Sequence, residues 1–291
     1  MVEDLGASVR ARLLNVAKAQ GADYNQVLVR FALERFLYRL AQSAHRDSFV
    51  LKGALLFTLW YDMPHRATRD ADLLGFGASD LDSIAQTFRD IASVQVDDGI
   101  AFDMDSVAVA EIRKDAGYAG ARVHIEATIG TARCKVQIDV GFGDAVTPGP
   151  EESAFPVLLD DLPAPRLRTY PVYTVVAEKL HAITLLGMTN SRLKDYLDLW
   201  VLLNDENLDA AILARAIAAT FNRRGARVPK TMPIGLTDEF GDDQSRQAMW
   251  RAFVTKNELE LIPLPTVVAG IREKLASAFA EAAALAGGEN C

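Results

Sequence analysis

The sequence predicts an α+β fold, in which a mixed β-sheet follows two N-terminal helices and precedes a helical C-terminal region. Three patterns support this prediction. Apolar residues recur at helical spacing in the first 45 residues, alternate with polar residues between 106 and 146, and return to helical spacing after Pro171. Residues 147–171 hold six of the eleven prolines, so we place an α/β domain at 1–160 and a helical domain at 161–291.

The first half contains two helices, a strand, a glycine turn, a short helix, a second strand, a third long helix and three half-buried strands. Gly21 separates the first two helices. The next elements along the chain are a strand at Phe49–Leu51, a turn at Lys52–Ala54 and a helix that reaches about Tyr61 and is ended by Pro64. They are followed by a strand at Arg69–Gly75 and a helix that is capped by Ser79 and reaches about Ile91. The three half-buried strands lie around Val107–Ile112, Val123–Ile129 and Cys134–Val140.

The second half is helical by the same criterion, and Thr174 is expected to cap its first helix. The predicted helices are Thr174–Leu186, Ser191–Asn204, Leu208–Phe221, Asp243–Lys256 and Thr266–Ala286. No internal repeat is evident.

Composition limits the class of protein. With 291 residues, of which 50% are hydrophobic and 24% charged, the chain can bury a substantial core. No apolar run reaches the roughly 18–20 residues that cross a bilayer, and no secretory signal opens the chain, so we expect a cytoplasmic protein with no membrane partner. The formal charge of −8 argues against binding nucleic acid through the overall field but permits a local basic patch. Cys134 and Cys291 make neither a disulfide framework nor a zinc site.

Two carboxylates in the second strand are candidate metal ligands. Asp70 and Asp72 are two residues apart, so on a strand both side chains point to the same face. Mg²⁺ prefers hard oxygen ligands and keeps waters and substrate phosphates in its shell, so a few carboxylates suffice. Taken alone, such a pair is more typical of a solvent-facing edge strand than of a metal site.

Two further features favour a metal site over a solvent-facing edge strand. Asp139 lies on another strongly alternating strand, and it would join the first pair if the two strands were neighbours. Three acids from two strands can hold two Mg²⁺ ions. Upstream, Gly53 lets the backbone approach a phosphate, and the start of the following helix could receive its charge. The glycine turn, the strand of Asp70 and Asp72 and the strand of Asp139, in this order, indicate a metal and phosphate site more specifically than any one of them does.

Four segments together resemble the motifs of the AbiEii/AbiGii nucleotidyltransferases, a family of toxins from type IV toxin–antitoxin systems. They are Leu51–Leu55, Arg66–Leu73, Ala177–Ala182 and Asn190–Leu199. Order and approximate lengths agree from about residue 25 to about residue 205. The resemblance implies a polymerase-β-like nucleotidyltransferase core with a mixed sheet, N-terminal helices and a C-terminal helical domain.

The resemblance also implies residue roles. Asp70 and Asp72 would ligate Mg²⁺ or Mn²⁺, and Asp139 would complete the metal site. Lys179 would contact the phosphates of the incoming NTP, and Asp195 would orient Lys179 or an arginine. Further candidate nucleotide-binding residues are Lys52, Gly53, Arg66, Arg69, Arg192, Lys194 and Asp198. A candidate patch for triphosphate and nucleic acid is formed by Arg66, Arg69, Arg133, Lys135, Arg192 and Lys194.

The implied reaction is transfer of a nucleoside monophosphate from NTP to an acceptor hydroxyl, with the tRNA 3′ end or another RNA as acceptor and a cognate antitoxin encoded nearby as partner. Two alternatives stay open: a catalytically impaired nucleotide-binding or protein-interaction module, and an enzyme that modifies protein. Gly53-Ala54 motivates the first, since many nucleotidyltransferases carry Gly-Gly or Gly-Ser there. Asp195 and Asp198 could instead form an ordinary i, i+3 charge network, and His181 is expected to pack rather than touch substrate.

Overall fold

The computed structural model describes residues 5–61, 68, 70–113 and 119–287. Predictions made for Pro64, Arg66 and Arg69 lie outside these residues. The helices are Leu5–Gln20 (α1), Tyr24–Gln42 (α2), Leu56–Trp60 (α3), Leu81–Ala92 (α4), Val172–Leu186 (α5), Leu193–Asp205 (α6), Ala210–Arg223 (α7), Asp238–Asp242 (α8), Gln244–Lys256 (α9) and Leu264–Gly287 (α10). The strands are Phe49–Lys52 (β1), Asp70–Gly75 (β2), Ile100–Arg113 (β3), Ala119–Ile129 (β4), Ala132–Phe142 (β5), Glu151–Ala154 (β6) and Arg166–Thr169 (β7).

The strands form one mixed sheet in the order β3-β4-β5-β2-β1-β7-β6. Consecutive strands β3, β4 and β5 are antiparallel neighbours, whereas β2 lies parallel to β5 and β1 lies parallel to β7. This arrangement puts β1, β2 and β5, the strands that carry the candidate acids and Lys52, side by side in the sheet. The predicted α+β class with a mixed sheet is confirmed.

One face of the sheet packs against helices. Inward residues such as Val123, Ile138 and Leu73 are fully buried, and α2 and α4 supply Phe36 and Phe88, whose rings stack with centroids 5.6 Å apart. Because side chains alternate along a strand, the residues between these apolar positions point to the opposite face. That face carries the charged side chains.

Several elements differ from the prediction in where they begin, and one helix was not predicted at all. Asp80 rather than Ser79 caps α4, since its carboxylate accepts a hydrogen bond from the Ser83 backbone N–H. Helix α5 begins directly after Pro171, while the Thr174 hydroxyl bonds the backbone of Thr147 instead of capping. The short helix α8 was not predicted, and β3 begins at residue 100, earlier than the alternating pattern indicated.

The proline-rich stretch also contains two strands that the sequence did not reveal. Strands β6 and β7 are four residues each and pair with one another, and Thr169 of β7 pairs with Leu51 of β1. The sequence of β6 is Glu-Glu-Ser-Ala, which has no apolar alternation. A short, charged strand is common at a sheet edge, where it discourages pairing with other chains.

The chain divides into two compact units, residues 1–143 with 151–169, and residues 144–150 with 170–291. The predicted boundary at residue 160 falls within the second segment of the first unit. The second unit is helical, and its core includes Tyr196 stacked on Phe240 at 4.9 Å. Within the described part of the chain, no helix combines the length and apolarity needed to span a membrane.

Candidate active site

A row of four charged side chains crosses the sheet on neighbouring strands. Asp72 on β2 is the register partner of both Lys52 on β1 and Asp139 on β5. Asp139 is in turn the partner of Arg122 on β4. Because neighbouring strands lie about 4.7–4.9 Å apart, these residues are lateral neighbours. The two acids that the sequence placed on separate strands are therefore side by side.

Asp70 lies two residues before Asp72 and so shares its face of the sheet. The Thr68 hydroxyl donates to Asp70 Oδ1 at 3.0 Å, and Gln137 Nε2 lies 3.5 Å from Asp70 Oδ2. Asp70 is half-buried, so one side of its carboxylate is held by neutral donors while solvent still reaches the group. This environment leaves its negative charge without a strong counter-ion among those contacts.

Arg122 binds both oxygens of Asp139. Its Nε donates to Oδ1 at 2.9 Å and its Nη2 donates to Oδ2 at 2.8 Å, which is the bidentate geometry of a strong ion pair. The hydrogen bond to Asp139 raises the pKa of Arg122, and the charges of Asp139, Asp70 and Asp72 act in the same direction. The guanidinium thus serves as a counter-ion for all three carboxylates. Sequence reasoning did not single out Arg122.

Gly53 is confined by the Asp72 side chain. Its backbone φ is +73°, a left-handed conformation that favours glycine. A Cβ at this position would lie 2.1 Å from Asp72 Oδ2 and 2.8 Å from Asp72 Cβ. The chain continues as a 3₁₀ turn over 53–55 and then as the five-residue helix α3. The phosphate-binding role expected of this turn stays a prediction, and the role that the structure shows for Gly53 is to admit Asp72.

Lys52 ends β1 and is only 6% exposed. A buried ammonium group is costly unless carboxylates neutralise it. Its register partner Asp72 supplies such a group at the neighbouring position. The lysine predicted to sit at a strand end therefore lies within the charged row rather than at a solvated edge.

The donor set suits a hard divalent cation in part. Asp70 and Asp72 share a face and provide carboxylate oxygens, and Mg²⁺ is commonly held by one or two carboxylates together with substrate phosphates and waters. Among the described residues, no three His, Cys, Asp or Glu side chains are grouped as a complete metal site. Both oxygens of Asp139 accept hydrogen bonds from Arg122, and the three-carboxylate metal site stays a prediction.

A second charged cluster lies in the helical unit. Lys179 Nζ on α5 donates to Asp195 Oδ1 at 3.1 Å and to Asp198 Oδ2 at 2.6 Å, both on α6. Arg192 Nε lies 2.8 Å from Asp195 Oδ2. Burial alone would lower the pKa of Lys179, but the charges and hydrogen bonds of Asp198 and Asp195 raise it. The contact expected between Asp195 and Lys179 is present.

The other predicted residues lie in different surroundings. Arg192 is about half exposed, at 51% of its side chain, and Lys194 is exposed. His181 packs edge-on against Phe221 with ring centroids 4.9 Å apart. Burial, with a smaller contribution from the neighbouring Arg224, lowers the pKa of His181 to about 4. His181 is only 4% exposed, so the expected packing is present.

Comparison with known families identifies the chain. The profile of the nucleotidyl transferase AbiEii toxin family, of type IV toxin–antitoxin systems, matches residues 35–283. The protein belongs to the AbiEii family. It is accordingly a nucleotidyltransferase of the toxin class, as the motif resemblance predicted. The match spans both the charged row of the sheet and the Lys179 cluster.

Two solved structures from Helicobacter pylori are similar to this AbiEii protein. One is proposed to be a nucleotidyltransferase; it is 14% identical, covers 87% of this chain and 95% of its own, and has a TM-score of 0.46. The other, JHP933, is 13% identical, covers 89% of this chain and 94% of its own, and has a TM-score of 0.47. No curated protein matches the chain.

Arg122 could have been anticipated from the alternating pattern. Val123, Ile125 and Ala127 are the buried residues of β4, so Arg122 must point to the opposite, charged face. What the pattern does not give is the register between β4 and β5, which pairs Arg122 with Asp139 rather than with a position two residues away. None of the four segments that resemble the AbiEii motifs includes this strand.

Proposed function

We propose that this AbiEii nucleotidyltransferase uses the row around Asp72 and Asp139 to transfer a nucleoside monophosphate from NTP to a hydroxyl acceptor, with Mg²⁺ or Mn²⁺ as cofactor. The observation that carries the proposal is the direct register pairing of Asp72 with Asp139, with Asp70 on the same face. Carboxylates brought together in this way on adjacent strands suit phosphoryl chemistry, which depends on positioning and charge neutralisation.

Asp70 and Asp72 would hold the metal ion. When bound, the ion supplies positive charge to the triphosphate and makes the acceptor hydroxyl easier to deprotonate. Asp139 would accept the hydroxyl proton at a carboxylate oxygen as the acceptor oxygen bonds to the α-phosphorus and pyrophosphate departs. Lys52 balances negative charge within the row. Lys179 is proposed as a phosphate-binding residue on the family resemblance alone.

For the acceptor we propose RNA, with the tRNA 3′ end as the first candidate, and for the regulatory partner a cognate antitoxin. Arg133 and Lys135 support an RNA acceptor, since both are exposed and share the face of β5 that bears Asp139. Their contacts would be local, because the formal charge of −8 disfavours binding through the overall field. Both NTP and tRNA are cytoplasmic, so we place the reaction there.

The alternative of an impaired site rests on Gly53-Ala54. Ala54 lies within the 3₁₀ turn of residues 53–55, a conformation open to any L-residue. A second glycine is therefore unnecessary for the backbone path at this turn, and the close approach to Asp72 needs only Gly53. This observation favours an active enzyme over a binding module.

The test is label transfer from each of the four α-labelled NTPs, with Mg²⁺ and total tRNA, resolved on RNA and protein gels. We expect label in RNA from the wild type, loss of label in Asp70→Asn, and retention in Glu126→Gln, which removes an exposed carboxylate from the same sheet face. Label in protein alone would replace RNA with a protein acceptor. NTP binding without any transfer would overturn the enzymatic proposal.

A further inference from the structure

The Arg122–Asp139 pair lies at the candidate metal site. It joins a carboxylate that should bind the metal ion to a guanidinium that repels it. Both carboxylate oxygens of Asp139 accept hydrogen bonds from the guanidinium. The Asp139 side chain is 11% exposed and the Arg122 side chain is 41% exposed. Asp139 is therefore fixed from one side, while its partner reaches it from solvent.

This geometry sets up a competition. A carboxylate that holds a guanidinium in bidentate fashion must give up at least one of those bonds before it can bind a divalent cation with the same oxygen. The two cations also repel each other at such short range. Asp70 contacts the neutral side chains of Thr68 and Gln137, and within the described residues no guanidinium binds it in this bidentate fashion. The three acids are thus unequal in their readiness to bind metal.

Arg122 has an alternative partner once nucleotide arrives. A guanidinium binds phosphate oxygens with the same forked geometry that it uses for a carboxylate. Arg122 is partly exposed, and β4 lies next to β5 in the sheet. Its side chain can therefore turn from Asp139 toward an anion above the sheet face without any movement of the β4 backbone. An NTP would supply that anion at the point where Asp139 is needed.

We propose that Arg122 is a positioning residue that occupies Asp139 in the absence of nucleotide, so that a divalent cation engages Asp139 only after the guanidinium has moved away. The inference rests on the proposed function, since it takes Asp70, Asp72 and Asp139 as metal-binding groups. The reaction then has an order, in which Asp139 joins the metal site when nucleotide binds and not before.

The experiment measures Mn²⁺ binding to the full-length protein by electron paramagnetic resonance without nucleotide, in the wild type and in Arg122→Gln. Because a partly exposed bidentate pair is worth only a modest amount, we expect the variant to bind Mn²⁺ roughly five-fold more tightly or more. Arg166→Gln is the matched control. It removes an exposed arginine from β7 of the same sheet and should leave the affinity unchanged.

A double-mutant cycle separates competition at Asp139 from a general effect of charge. If Arg122 acts through Asp139, then Arg122→Gln should tighten Mn²⁺ binding in the wild-type background and change it little in Asp139→Asn. An unchanged or weaker affinity in Arg122→Gln would overturn the proposal, as would an equal gain in both backgrounds. If the glutamine variant does not fold, Arg122→Lys removes the fork but keeps the charge, so a smaller gain in Mn²⁺ affinity is expected, again only in the background that keeps Asp139.

Asp70→Asn keeps the two hypotheses distinguishable in the same assay. Loss of Mn²⁺ binding in Asp70→Asn with no effect of Arg122→Gln would leave the proposed metal site standing and refute the role of Arg122. Full Mn²⁺ binding in Asp70→Asn would refute the metal assignment itself. A stronger signal in Arg122→Gln together with loss in Asp70→Asn supports both.

Discussion

Replacing Gly53 by alanine would place a methyl group against the Asp72 side chain. The left-handed backbone, with φ of +73°, costs an L-residue about 1–2 kcal/mol. The new Cβ would lie 2.1 Å from Asp72 Oδ2. An ordinary contact needs about 3.5 Å, so the carboxylate must retreat by about 1 Å or more. Crowding of this kind adds about 1–3 kcal/mol, which brings the expected loss of unfolding free energy to roughly 2–5 kcal/mol.

The functional loss should exceed the structural one. A displacement of about 1 Å in a catalytic group can reduce turnover by about 100-fold. We therefore expect Gly53→Ala to lower nucleotide transfer per folded molecule by about that factor. Urea denaturation gives the folded fraction, and the label-transfer assay, corrected for that fraction, gives the activity.

Gly21→Ala is the matched control for Gly53→Ala. Gly21 has a φ of +62°, close to that of Gly53, but a Cβ there would meet nothing within 4 Å. The control should lose about 1–2 kcal/mol of stability and keep its activity per folded molecule. If Gly53→Ala transfers nucleotide as fast as Gly21→Ala, the contact with Asp72 has no part in catalysis.

Three further substitutions test the buried charges. Lys179→Met removes the cation that two buried carboxylates share and should cost about 3–5 kcal/mol in urea unfolding, whereas Lys194→Met, at an exposed position of the same region, should be near neutral. Asp98→Asn breaks the buried ion pair with Arg39, whose Nη1 lies 2.7 Å away, and should cost a similar free energy of unfolding. Activity per folded molecule should be unchanged, and an activity loss larger than the unfolded fraction would contradict this. Burial, with a smaller contribution from a neighbouring arginine, lowers the pKa of His181 to about 4, below its unfolded value, so the stability it contributes is present above pH 6.5 and lost as the pH falls toward 4. His181→Gln should accordingly lose roughly 2 kcal/mol less than the wild type between pH 7 and pH 5, and equal losses would show that the native histidine is not kept neutral.

The sequence was sufficient where periodicity and motif coincide. Strands β2 and β5 were predicted because their apolar residues alternate, and that alternation also puts Asp70 and Asp72 on one face. It could not reveal β6, whose four residues carry no apolar period and whose structure depends on pairing with β7. Local pattern predicts a strand's faces, whereas its existence at an edge depends on partners distant in sequence.

The same limit applies to the charged site. Asp139 was predicted to join Asp70 and Asp72 because it lies on an alternating strand and because the family resemblance implies a third acid, and the register of β2 with β5 places it beside Asp72. Arg122 belongs to no quoted motif, and its role follows only from the antiparallel register of β4 with β5. A one-residue slip would turn Arg122 to the apolar face and bury its charge without Asp139. Register is a property of the whole sheet, which is why this residue emerges only from the structure.

The charge balance of the row bears on how metal and nucleotide enter the site. Two cations, Lys52 and Arg122, stand beside three carboxylates, Asp70, Asp72 and Asp139, so these five side chains together carry one net negative charge. A cluster this close to neutrality does not require a metal ion in order to fold, because its buried groups already have counter-ions. An NTP brings several negative charges at once, so the site then needs additional positive charge. The binding of divalent cations, which Arg122 opposes without nucleotide, becomes favourable. On this reasoning the protein should keep its thermal unfolding temperature in EDTA, and Mg²⁺ should raise that temperature appreciably only when a nucleotide is also present.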